Sequence, residues 1–214
     1  MNLSVAIAAL CIVAAYFLGS IPTGYLAGKW LKGIDIREYG SHSTGATNVL
    51  RTLGKKAGAT VLFLDALKGM TALLIVKLLY AHPEWVTLPA GLYHWLIMGS
   101  ALAVVFGHSK SIFLGFNGGK SVATSIGVLL IMAPVVALGT ILAFAGAISL
   151  TQIVSLSSIS GAIAVMILMV VLQQPLPYIL FGMLAGLYVI VRHRSNIQRI
   201  MAGTEPKLGT KAQN

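Results

Sequence analysis

The feature that most constrains this chain is a run of 71 residues, 121–191, without a single Asp, Glu, Lys or Arg. Over the whole chain only 9% of residues are charged and 57% are hydrophobic, where an ordinary soluble domain carries roughly 25% charged residues. That composition excludes a soluble globular enzyme, a disordered tail protein and a disulfide scaffold. It leaves an all-α polytopic membrane protein, read as a single domain over 1–214 with no internal repeat. Cys11 is the only cysteine, so no intramolecular disulfide and no thiolate zinc cluster can form. No metal and no other cofactor are expected.

The basic residues give the topology. The formal charge is +10, which in a soluble protein would point to nucleic acid. In a membrane protein it points first to cytoplasmic loops, and no nucleic-acid partner is expected. Lys29, Lys32, Arg37, Arg51, Lys55 and Lys56 fall in 28–58, and Lys110 and Lys120 in 107–120. Arg192, Arg194, Arg199, Lys207 and Lys211 fall in the tail, while 81–87 has none. The positive-inside rule puts 28–58, 107–120 and the tail in the cytoplasm and the N-terminus outside. Both ends of 121–191 are then cytoplasmic, so an even number of helices lies between them. Two would be far too long, and four come to about 18 residues each, near the spanning length. Pro134, Thr151-Gln152 and Gln173-Gln174-Pro175 supply the breaks. Seven transmembrane helices are predicted, at about 3–27, 58–80, 88–106, 120–133, 135–150, 156–172 and 176–191. Residues 151–155 then face the cytoplasm too. No Lys or Arg precedes Leu3, so the first helix is expected to be retained rather than cleaved as a signal, with Pro22 bending its end.

Three polar segments interrupt this pattern. Gly40 to Arg51 is rich in small hydroxyl residues and supplies backbone N–H groups, hydroxyls and one guanidinium, the donors an oxyanion needs. A flexible loop with an exposed Arg is the alternative. Gly107 to Ser121 contains Gly118-Gly119-Lys120-Ser121, but the first Gly of a Walker A loop would be residue 114, which is Leu, so an NTPase is rejected. Glycines and a Lys at the start of the fourth helix still make a phosphate site or, equally, a membrane-anchoring helix start. Arg192 to Lys207 reads as a basic tail for anionic headgroups. That leaves His193 and Asn196 unexplained, an i,i+3 pair sharing one helix face. Glu205 is expected to pair with a tail Arg. Asp65 and Lys68, an i,i+3 pair inside the second helix, are either a mutual ion pair or a transport relay.

These segments together resemble the bacterial acyl-phosphate:glycerol-3-phosphate acyltransferase family. The resemblance runs through Gly19-Ser20-Ile21-Pro22-Thr23-Gly24, Gly45 to Arg51, Leu64 to Gly69, Gly115 to Thr124, Val154-Ser155-Leu156 and Arg192 to Ile197. Where the family has Gly-Ser-Gly-Asn, this chain has Gly40-Ser41-His42-Ser43, and Asn117 stands where Lys is common. The resemblance implies a seven-helix inner-membrane enzyme with a cytoplasm-facing site. It would move a fatty acyl group from acyl phosphate to the 1-hydroxyl of glycerol 3-phosphate, forming lysophosphatidic acid, with no obligate protein partner. On that basis Arg51 and Lys120 neutralise phosphate, Gly118 and Gly119 let backbone approach it, and Thr47, Asn48 and Ser155 add neutral hydrogen bonds with Ser41. His193 and Asn196 orient the acceptor hydroxyl. Direct transfer, with the donor phosphate taking the proton, is favoured over an acyl-enzyme on Ser41 with His193 as base. A small ion-coupled transporter using Asp65, Lys68 and Lys77 is the competing class, and a non-catalytic lipid-binding module the third. The His-x-x-x-x-Asp motif of another acyltransferase class is absent, since Trp30 and Thr60 precede Asp35 and Asp65 at that spacing.

Overall fold

The computed structural model describes residues 3–209; Lys211 of the basic tail lies outside them. The described residues form ten α-helices with three short 3-10 turns and no strands. They are α1 (Leu3–Ser20), α2 (Thr23–Lys32), α3 (Ala46–Leu53), α4 (Lys55–Ala81), α5 (Tyr93–Ser109), α6 (Val122–Met132), α7 (Pro134–Thr151), α8 (Val154–Val171), α9 (Leu176–Arg192) and α10 (Arg194–Met201). α1 packs on α5, α4 on α6, and α7 on α8, which also meets α9. Their shared core includes Leu73, Val76, Leu96, Val104, Val128 and Phe181. Outward-facing positions are equally apolar, with Val135, Leu142 and Leu150 strongly exposed. A water-soluble protein does not present such a girdle.

The predicted breaks fall where expected, each for a local reason. Pro134 opens α7, where its missing N–H costs nothing. Gln152 caps α7 in the left-handed region with φ 60°, and Pro175 precedes α9. The expected helix 3–27 is instead two helices. Pro22 withdraws a donor and disfavours helical Ile21, which interrupts the helix there, while α1 and α2 continue as one span, Leu3–Lys32. The carbonyls freed there are met from other helices: Ser111 Oγ donates to Ser20 O at 2.6 Å and Lys68 Nζ to Ile21 O at 3.2 Å. Broken backbone at membrane depth needs such partners.

Seven apolar helices stand at the positions read from sequence, but length and composition qualify only part of them as independent spans. Five segments are long and apolar enough, namely α1 continued through α2, α4, α5 with its flanking turns, α7 and α8. α9 makes a sixth when joined to α10 across a 58° bend. α6 has 11 residues and rises only about 16 Å at 1.5 Å per residue, roughly half of the ~30 Å hydrocarbon core.

The four segments expected in the cytoplasm, 28–58, 107–120, 151–155 and the tail, gather at one end of the bundle. Arg37 Nη1 reaches Leu114 O at 3.5 Å, Arg51 Nη2 reaches Pro206 O at 3.2 Å, and Leu208 N donates to Gln152 O at 2.6 Å. Links at the other end are separate: Ser4 Oγ to Thr87 O at 3.2 Å and Tyr80 OH to Pro89 O at 3.1 Å.

Candidate active site

A cavity of about 520 Å³ opens at that polar end and runs into the bundle. Its head is lined by Ser41, Thr47, Arg51, Lys120, His193 and Asn196, and its interior by apolar side chains such as Ile126, Leu129, Phe144 and Val165. Exposed Leu62 and Phe63 of α4 and Ile141 of α7 also line it, so one flank lies toward the apolar exterior.

The first wall is the Gly40–Gly45 loop and α3. Asn48 holds it: Oδ1 accepts from Ser41 N at 2.9 Å, and Nδ2 donates to Ile36 O, Tyr39 O and Ser43 O at 2.9–3.0 Å. Asn48 lines the cavity, and its side-chain amide is engaged in bracing this loop. Ser41, Thr47 and Arg51 are presented by that brace. His42 takes the left-handed φ of 52° that glycine would adopt easily. Its ring turns away to Arg37 O at 2.9 Å, so the substitution at this position does not alter the cavity wall. Ser43 does line the cavity, but its Oγ accepts from Gly45 N at 3.2 Å.

The second wall corrects the expectation for Gly118 and Gly119. Neither lines the cavity. Their N–H groups close onto the end of α5, Gly118 N to Ser109 O at 3.1 Å and Gly119 N to His108 O at 3.2 Å. Their carbonyls accept from Arg192 Nη2 at 3.3 and 3.1 Å. Glycine is required here for contact with α5: a Cβ on Gly118 would collide with His108 O and one on Gly119 with the His108 ring. The groups that do face the cavity come next, at Lys120, Ser121, Val122 and Ala123. Helix α6 starts at Val122, after Ser121 at φ 63°, so its first, unpaired amides lie beside the cavity.

The third wall is a network centred on Glu205. Its Oε1 accepts from Asn196 Nδ2 at 2.6 Å and Ser155 Oγ at 2.7 Å, and its Oε2 from Arg199 Nε at 2.6 Å. The expected pairing of Glu205 with a tail arginine is therefore present, but Glu205 also fixes two predicted site residues. Asn196 Oδ1 in turn accepts from Lys120 Nζ at 2.5 Å. These donors hold the Glu205 carboxyl below its ordinary pKa against the opposing effect of burial. Burial, joined by Arg199, Arg192 and Arg51 and opposed by Glu205, pushes the Lys120 ammonium down to about 8.

His193 and Asn196 do not share a continuous helix face, because α9 ends at Arg192 and α10 begins at Arg194. Both nevertheless line the cavity and are buried. His193 Nδ1 lies 2.7 Å from Val189 O. A carbonyl only accepts, so Nδ1 carries the proton and Nε2 the lone pair. Burial first, then Lys120, pushes the imidazole down to about 4. Burial is the largest cause, and Arg192 contributes least of the causes named here. No hydrogen bond joins Ser41 Oγ to His193 among the described residues. Sequence reasoning passed over Glu205 as a hub, Arg192 as the strut of the glycine loop, and His108. The signal for Glu205 was its rarity, as one of five acidic residues.

Behind the second wall, Lys68 Nζ meets Asp65 Oδ1 at 2.9 Å, and Thr23 Oγ1 donates to the same oxygen at 2.6 Å. Of the two readings of this pair, the geometry is that of a closed ion pair tying α4 to the α1–α2 break.

A family profile described as glycerol-3-phosphate acyltransferase matches residues 9–203. The chain belongs to the glycerol-3-phosphate acyltransferase family. A relative of that name from Rippkaea orientalis is 60% identical over 206 residues, covering 96% of this chain and 95% of its own length. One from Synechocystis sp. is 58% identical, covering 96% and 93%. The fold also matches two crystal structures of PlsY, an integral membrane glycerol 3-phosphate acyltransferase. Its glycerol 3-phosphate form gives a TM-score of 0.84 at 39% identity, and its lysophosphatidic acid form 0.80 at 38%. Each alignment covers 95% of this chain and 96% of the other. This family member is thus an all-helical integral membrane acyltransferase, as the sequence reading held.

Proposed function

We propose that this acyltransferase moves a fatty acyl group from an acyl phosphate to the 1-hydroxyl of glycerol 3-phosphate, releasing lysophosphatidic acid and inorganic phosphate for phospholipid synthesis. The observation that carries the reading is one cavity with Arg51 and Lys120 at its head and apolar side chains along its depth. Two phosphates and one acyl chain need that division. Arg51 grips phosphate through its planar fork and Lys120 acts as a point charge. Ser41 and Thr47 add hydroxyl donors, and the first amides of α6 add the positive helix end.

In the transfer, the acceptor hydroxyl oxygen attacks the acyl carbonyl carbon. The bond from that carbon to the phosphate oxygen breaks, and the phosphate leaves with the electron pair and takes the hydroxyl proton. A phosphate with a second pKa near ~6 is a better proton acceptor than an imidazole held at about 4. His193 therefore positions the hydroxyl through its Nε2 lone pair, beside Asn196. Asn48 and Ser155 line the cavity and brace its wall, and Gly118 and Gly119 act one layer back, holding the groups that touch substrate. The head of the cavity faces the cytoplasm of a bacterial plasma membrane, the side on which the basic segments cluster, with the N-terminus outside.

The test uses the full chain purified in detergent with palmitoyl phosphate and glycerol 3-phosphate. Lysophosphatidic acid is expected from that donor. Robust turnover with acyl-CoA or acyl carrier protein, and none with acyl phosphate, would overturn the donor assignment.

A further inference from the structure

His108 is buried, with 7% of its surface exposed, yet its ring lines the cavity. Its neighbours fix which nitrogen carries the proton. Nδ1 lies 2.8 Å from Lys68 Nζ, an ammonium that only donates. The same Nζ reaches Asp65 Oδ1 at 2.9 Å and Ile21 O at 3.2 Å, so its three N–H bonds meet three acceptors. Asp65 Oδ1 is farther from Nδ1, at 3.4 Å, and already accepts from Thr23. A proton on Nδ1 would point at the ammonium. The ring is therefore neutral, with its lone pair on Nδ1 and its proton on Nε2.

That Nε2–H has no partner among the described residues, and it is not one of the sealed orphan atoms such as Arg192 Nε. It sits against Gly119, where a Cβ would overlap it, immediately before Lys120 and the start of α6. An ammonium donating to Nδ1 withdraws electrons from the ring and strengthens Nε2–H as a donor. The Asp65–Lys68 pair thus has a consequence beyond bracing: it sets the tautomer of a cavity-lining imidazole whose Nε2 lies against Gly119, one residue before Lys120.

We infer that His108 is a further phosphate-binding residue, donating Nε2–H to a phosphoryl oxygen held beside Lys120. This rests on the reading of the cavity head as a phosphate site. Lys68 and Asp65 act through it as positioning residues.

Two substitutions separate donation from bracing. In His108→Asn the amide oxygen falls near the Nδ1 position and keeps an acceptor for Lys68, but no donor remains at Nε2. In His108→Gln the amide nitrogen falls near Nε2 and restores the donor. The measured quantity is the inhibition constant of inorganic phosphate against turnover, with the thermal midpoint of each detergent-purified chain alongside. We expect His108→Asn to weaken inhibition about tenfold or more, the effect of one hydrogen bond to a charged acceptor. His108→Gln should stay within about threefold of the unaltered chain. Unchanged inhibition in His108→Asn, or equal loss in both variants, overturns the inference.

A measurement on the unaltered chain covers the case in which either variant misfolds. In ¹⁵N-histidine NMR, the His108 signal should be that of an Nε2–H tautomer and should shift on adding inorganic phosphate. An Nδ1–H tautomer, or an Nε2–H unmoved while calorimetry shows phosphate bound, overturns the inference alone. No phosphate binding at all overturns it together with the reading of the cavity head.

Discussion

Lys120 gives the sharpest test of the electrostatics. Its ammonium is the point charge at the head of the cavity, and burial with nearby arginines pushes it down to about 8. The charged form holds phosphate, so function is present below that pH and is lost as pH rises through it. By simple titration roughly 90% of the free enzyme carries the charge at pH 7 and roughly 10% at pH 9. kcat/KM for glycerol 3-phosphate should therefore fall about tenfold over those two units, equivalent to about 1.4 kcal/mol. The profile of kcat/KM reports the free enzyme, where the charge is not yet stabilised by bound phosphate. Neither competing titration lies in the window: the substrate phosphate is already dianionic above its second pKa near ~6, and His193 is held at about 4. Lys120→Arg keeps a charge that does not titrate below ~12. It should lose rate at pH 7, because its fork does not reproduce the contact with Asn196, but its alkaline limb should vanish. A wild-type profile flat to pH 9.5, or the same limb in Lys120→Arg, would refute the reasoning.

Three further outcomes follow. His193→Ala and Ser41→Ala should each leave residual turnover, with Ser41→Ala slower by roughly 10- to 150-fold if its hydroxyl donates to a charged phosphate. Initial velocities should give intersecting reciprocal plots, and an acyl adduct on Ser41 formed as fast as turnover would contradict direct transfer. Asp65→Ala strands the Lys68 charge inside the bundle and should destabilise the chain by about 3–5 kcal/mol. Thermal melting in detergent checks this: Lys68→Met added to Asp65→Ala should recover part of the loss, and a single variant that melts like the parent would show that the pair is not structural. Cysteines placed at Gly115 and Gly203 should label from the same face of sealed vesicles, and labelling from opposite faces would break the composite site.

Much of the fold was legible because charge and proline leave marks that do not depend on tertiary contacts. The absence of charge over 121–191 and the breaks at Pro134, Gln152 and Pro175 located the helices within a few residues. The convergence of the polar segments on one end followed from the distribution of basic residues, with parity adding 151–155. Illegible features depend on what a residue meets across the bundle. The resemblance made Asn48 a substrate-binding residue, and what it could not show is that the oxygen and amide nitrogen of Asn48 also bond its own loop. The glycine pair looked like a phosphate cradle, yet both residues serve contact with α5. Helix α6 was bounded in the sequence at about 120–133, between Lys120 and Pro134; the structure trims it further, to Val122–Met132, because the chain before it folds back onto α5.

The short α6 also suits a membrane-embedded bundle to the two anions of the proposed reaction. Helix N-termini carry free amides only at their first turn, and a helix starting at the membrane surface would present them to water. α6 rises roughly half the hydrocarbon thickness and starts after a loop folded back on the last carbonyls of α5. Its first turn therefore lines the same cavity as Lys120, Asn196 and Glu205. Each anchoring group is itself anchored: Lys120 by Asn196, Asn196 and Ser155 by Glu205, Glu205 by Arg199, and the glycine loop by Arg192. Such a chain leaves the positive charge preorganised before substrate arrives, so little reorganisation opposes the charge that develops on the departing phosphate. In the proposed transfer, the apolar depth of the same cavity would hold the acyl chain and limit water at its carbonyl, favouring transfer to glycerol 3-phosphate over hydrolysis.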